Sequence, residues 1–141
     1  MSKSSELNYL LRSLQVKEQR LYNEKTSNYD LSPSQARALI YIESHPGTNQ
    51  KAVADYFGLR GASTSTLIKK LADAGYLEKK PSRGSQDRSN KLFLTAAGLE
   101  LVVGLKAAFT SVEERLVASL TTQETATLIQ LLTKVDRGLA D

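Results

Sequence analysis

The stretch NQKAVADYFGLRGASTSTLIKKLADAGYL, residues 49–77, decides how the rest of the chain is read. Thr48 or Asn49 can cap a short helix to Phe57, in which Val53, Ala54 and Phe57 share the inward face. Gly58 ends it. Leu59, Arg60 and Gly61 fill a turn of three to four residues, and a second helix follows from about Ala62 to Ala74, closed by Gly75. Two helices joined by so short a glycine-containing turn are the sequence form of a helix-turn-helix. At this point an αα-hairpin inside a plain bundle fits as well.

The residues behind the second helix separate the two readings. Tyr76-Leu77-Glu78-Lys79-Lys80-Pro81 and Lys91-Leu92-Phe93-Leu94-Thr95 alternate apolar and polar side chains, which suits short strands. Between them, residues 82–90 are polar, glycine-containing and basic. A β-hairpin with a basic tip directly behind a helix-turn-helix is a wing, and a helical bundle has no use for one.

Outward from this centre the chain is helical. Leu7, Leu10, Leu11, Leu14, Leu21 and Tyr22 predict an amphipathic helix from about Ser5 to Lys25. Ser32-Pro33-Ser34-Gln35 combines a cap, a first-turn proline and a capping box, opening a helix that stops at His45-Pro46-Gly47. Thr95 caps a long helix to about Ser119. Its Val102, Leu105, Phe109, Val112 and Leu116 step by 3 and 4 in a narrow, coiled-coil-like seam, widened by Leu101, Val117 and Leu120. Thr121-Thr122-Gln123-Glu124 is a second capping box, opening a last helix with Leu128, Ile129, Leu131, Leu132, Val135 and Leu139. The expected fold is mainly α with a small β-wing. Residues 1–30 form an N-terminal helix, 31–95 the winged helix-turn-helix and 96–141 two C-terminal helices.

Composition excludes several functions. The 141 residues contain no cysteine and one histidine, His45. Disulfides, thiolate metal sites, thiol redox switches and multi-histidine metal centres are therefore impossible. There is no P-loop and no G-x-G-x-x-G. Gly61-Ala62-Ser63-Thr64-Ser65 is not a nucleophile elbow, which needs glycine where Ser65 stands. No enzyme, cofactor or metal is expected. Neither a signal peptide nor a membrane span is visible, which implies a cytoplasmic protein with no membrane partner.

The net charge of +4 is uninformative until it is located. Residues 48–95 carry nine basic and four acidic side chains, whereas the other 93 residues carry ten and eleven. The whole excess sits on the helix-turn-helix and wing, as a polyanion-binding surface requires. A lysine-rich solvated face would give the same count.

The ordered set Val53-Ala54-Asp55-Tyr56-Phe57-Gly58-Leu59, Ser63-Thr64, Leu71-Ala72-Asp73-Ala74-Gly75-Tyr76-Leu77, Asp87-Arg88 and Leu92-Phe93-Leu94-Thr95-Ala96-Ala97-Gly98 resembles the MarR (multiple antibiotic resistance regulator) family of winged-helix transcription factors. Element order extends the resemblance over almost the whole chain. Two positions depart from the family pattern. The wing aspartate slot of D-x-R holds Gln86, with Asp87 one residue later, and the position before the recognition helix is Arg60 rather than serine.

The resemblance implies a sequence-specific DNA-binding regulator, a repressor on a pseudo-palindromic operator in double-stranded DNA. It implies a homodimer in which the first and the last two helices interlock with a second subunit. It further implies a cavity for a small aromatic or phenolic effector between the DNA-binding lobes and the dimerisation helices. Arg12, Tyr22, Tyr41 and His45 are available to line such a space, but aromatics at helix positions are more often core, and no ligand residue is assigned. The Cys-free sequence removes thiol-based peroxide sensing. A winged-helix module for protein or RNA, without operator binding, is the alternative.

Counting 100° steps from Ile68 places Thr64, Leu67 and Leu71 on the buried side of the recognition helix. It leaves Ala62, Ser63, Thr66, Lys70 and Asp73 outside, with Ser65 and Lys69 on the flanks. Hydroxyls near a helix N-terminus let the backbone approach base edges, and lysines further along find phosphate. The expected DNA contacts are therefore Arg60, Ser63, Ser65, Thr66, Lys69 and Lys70. From the wing they are Arg83 and Arg88, whose guanidinium groups suit the minor groove, and Lys91.

Overall fold

A computed structural model describes residues 2–58, 61–81 and 90–140, without the side chains of residues 61 and 62. Six helices and one two-stranded sheet follow in the order α1 (Lys3–Ser27), α2 (Pro33–Ser44), α3 (Gln50–Phe57), α4 (Gly61–Asp73), β1 (Leu77–Lys80), β2 (Lys91–Leu94), α5 (Ala96–Val117) and α6 (Thr122–Gly138). The architecture is the expected winged helix-turn-helix flanked by terminal helices.

Side-chain caps set most of the boundaries. At α2 the Gln35 amide donates to the Ser32 hydroxyl and the Ser32 amide to Gln35 Oε1, the reciprocal pair of a capping box. Thr121 and Glu124 repeat that pair at α6. At α3 the Ala52 amide donates to Asn49 Oδ1, so Asn49 rather than Thr48 is the cap. Gly58 ends α3 in a left-handed conformation, φ 65°, that favours glycine. Helix α1 runs two residues further at each end than its leucines indicate. The Ser2 hydroxyl caps the start, and the Thr26 hydroxyl bonds back to the Tyr22 carbonyl.

Strands β1 and β2 pair antiparallel, with Leu77 opposite Leu94 and Lys80 opposite Lys91. Leu77 and Leu92 turn inward, while Glu78, Lys79, Lys80 and Lys91 stay exposed. The loop after α2 adds a further rung: the Gly47 amide donates to the Leu92 carbonyl, and the Leu92 amide to the Thr48 carbonyl at 2.7 Å. That rung ties the wing to the α2–α3 corner. The sequence marks this corner only as the end of α2.

Leu39, Ile42, Val53, Ile68, Leu71, Leu92 and Leu105 are fully buried at the centre. Helix α5 lies across α1 and α2, so Val102, Leu105 and Val112 are spent on this chain's own core. The 3–4 seam is thus intramolecular through Val112, and its end, Leu116, is exposed. Helix α6 buries none of its residues.

Candidate nucleic-acid interface

Helix α4 is anchored by Leu67, Ile68 and Leu71, the last two fully buried, with Thr64 buried beside them. Ser63, Ser65, Thr66, Lys69, Lys70 and Asp73 are exposed. For these residues the division follows the sequence count, the Ala62 side chain lying outside the described residues, and it brings three hydroxyls and two ammonium groups onto one solvent-facing surface. Lys69 and Lys70 make no ion pair among the described residues. Rigid apolar anchoring on one side and short polar groups on the other let a helix approach base edges without disturbing its own domain.

On the wing, Lys80 and Lys91 face each other across the ladder, an arrangement that like charges disfavour. Lys80 is partly compensated by Glu78, 3.7 Å away, and by the Phe93 ring, whose centroid lies 5.0 Å from Nζ. Lys91 has no ion pair among the described residues. Arg60, Arg83 and Arg88 lie outside the described residues, as do Gln86 and Asp87.

The wing is locked to α5 by Thr95. Its hydroxyl donates to the Gly75 carbonyl at 2.6 Å and accepts from the Gly98 amide at 3.1 Å, and its own amide donates to the Tyr76 carbonyl. The Tyr76 carbonyl rests directly on Gly98, where a β-carbon would collide with it.

A second feature lies where α1, α2, α3 and α5 meet. Arg37 sits over the rings of Tyr22, 4.6 Å from its centroid, and Phe109, 5.6 Å from its centroid. With Ile40, Tyr56 and Glu113 these residues line a cleft of about 230 Å³. Arg37 makes no ion pair within 4.0 Å among the described residues. Burial, aided by the Glu18 carboxylate, pushes the Tyr22 phenol above its ordinary value against the opposing pull of Arg37, so the phenol is neutral at physiological pH. Of the four residues named from sequence for an effector cavity, only Tyr22 lines this cleft. Tyr41 backs its wall by stacking on Tyr56 at 4.5 Å, and His45 stacks on Tyr41 as the cap of α2. Arg12 lies elsewhere, in a surface depression of α1. The sequence reading missed Arg37, a basic residue in the apolar run of α2.

The sequence model of the MarR family matches residues 29–86, from the turn before α2 into the wing. Over the whole chain the fold matches S. aureus MepR in its DNA complex, with a TM-score of 0.86, 24% identity, and coverage of 99% of this chain and 100% of that one. The sequence likeness to the MarR family thus covers residues 29–86, while the whole chain shares the fold. A mutant E. coli MarR bound to operator DNA matches with a TM-score of 0.82 and 24% identity, over 92% of each chain. A MarR transcriptional regulator from Methanosarcina mazei Go1 matches with a TM-score of 0.80 and 24% identity, over 96% of this chain and 97% of that one. Among curated proteins none matches the sequence. The described residues have the winged-helix fold of these regulators. Among the described residues no helix is long and apolar enough to cross a membrane.

Proposed function

We propose that the chain is a cytoplasmic repressor that binds a pseudo-palindromic operator as a homodimer and leaves it when a small aromatic anion binds. The exposed face of α4 carries the reading: Ser63, Ser65 and Thr66 face base edges, while Lys69 and Lys70 face phosphate. Residues 31–95 form the DNA-binding unit, with Arg60 at the helix entrance and Arg83, Arg88 and Lys91 on the wing. Residues 1–30 and 96–141 form the dimer. Leu10 and Leu14 on α1, and Leu128, Leu132 and Val135 on α6, are more than 40% exposed, more apolar surface than a monomer ordinarily leaves in water. Two-fold symmetry then sets the two α4 helices on half-sites about one DNA turn apart.

Salt tests the DNA reading. Affinity for an operator duplex should fall about a thousandfold or more between 50 and 200 mM salt. Lys70→Ala should flatten the slope of log K against log salt by about one. Affinity indifferent to salt would favour a protein-docking module instead.

The Arg37 cleft supports the effector reading. A guanidinium seated on two rings and lacking a carboxylate partner suits a flat carboxylate. Benzoate should weaken operator binding, and Arg37→Ala should shift the benzoate midpoint upward by roughly tenfold. An unchanged midpoint in the variant would remove Arg37 from the effector site.

A further inference from the structure

Another cleft, of about 360 Å³, opens beside the N-terminal half of α5. Its floor is a single helix face, Ala97, Glu100, Leu101 and Gly104, spaced at i, i+3, i+4 and i+7. Its walls are the half-buried Tyr29 and Tyr76. Both walls are fixed by the lack of a side chain on α5. At Gly104 a β-carbon would lie 3.1 Å from two Tyr29 ring carbons and closer still to its hydroxyl, and Gly98 receives the Tyr76 carbonyl. The turn after α1 holds Tyr29 in place: the Tyr29 and Leu31 amides both donate to the Thr26 carbonyl, and Asp30 takes a left-handed φ of 57°.

The chemistry of the cleft is one-sided. The Glu100 carboxylate has neither an ion pair nor a hydrogen bond among the described residues. Tyrosine ring faces are themselves negative. Small floor residues leave room for a flat or methylated apolar body, while a lone carboxylate holds a divalent metal poorly. An anion would be repelled by Glu100. We propose that this cleft is a binding site for an organic cation, an aromatic amine or quaternary ammonium compound, held between Tyr29 and Tyr76 with its charge against Glu100. It shares no lining residue with the Arg37 cleft.

Benzyltrimethylammonium is a suitable probe for the full chain, with amide chemical shifts as readout and benzoate as the anion control. Saturable shifts are expected at Ala97, Glu100 and Gly104, and benzoate should not displace them. Glu100→Gln should weaken the probe by roughly fivefold, the scale of one exposed charge contact, and Glu100→Lys should weaken it further. Undiminished affinity in both variants would overturn the proposal. So would shifts confined to the Arg37 cleft.

Discussion

A chain carrying Leu128→Glu and Leu132→Glu is expected to sediment as a monomer and to bind operator DNA about a hundredfold more weakly. The two leucines stand one turn apart on α6, at 44% and 42% exposure, in a helix that buries nothing against its own chain. An amphipathic helix of 17 residues has little stability alone, so its apolar stripe needs a partner surface. Two carboxylates in that stripe would have to be desolvated in the dimer, which costs more than the leucine contacts return. Operator binding falls because the second half-site contact becomes a separate bimolecular event. The α4 surface is untouched, so residual affinity for a single half-site should persist. A double variant that stays dimeric at micromolar concentration would show that α6 is not in the interface.

Gly98→Val is expected to destabilise the fold by about 3 kcal/mol, the upper range for forced overpacking. For a chain of this length that lowers Tm by roughly 10 °C. The new side chain meets the Tyr76 backbone carbonyl, not the flexible end of a side chain. Relief therefore requires moving β1 or the first turn of α5. Both are held by the Thr95 bonds to Gly75, Tyr76 and Gly98. DNA affinity should fall together with stability because the wing hangs from this joint. A variant with unchanged Tm would mean that the joint yields without cost.

The recognition helix was legible because its environment is simple: the domain's apolar core on one side and water on the other. Under those conditions 100° steps from Ile68 sort buried from exposed residues. The capping boxes at Ser32 and Thr121 were equally legible, since their bonds close within four residues. The seam of α5 was not assignable from spacing alone. Steps of 3 and 4 describe any helix–helix groove, and Val102, Leu105 and Val112 fill one formed by α1 and α2 of the same chain. Arg37 was missed because its partners, Tyr22 and Phe109, come from helices distant in sequence. The rung between Thr48 and Leu92 is likewise non-local and carries no periodic signal. The three arginines assigned to DNA, Arg60, Arg83 and Arg88, rest on the sequence and the family resemblance.

Footprinting on the DNA upstream of the protein's own gene tests operator binding by the dimer. A protected pseudo-palindrome is expected, with half-sites about one helical turn apart and protection lost as salt rises. Uniform cleavage across that DNA at protein concentrations that saturate a dimer would contradict it.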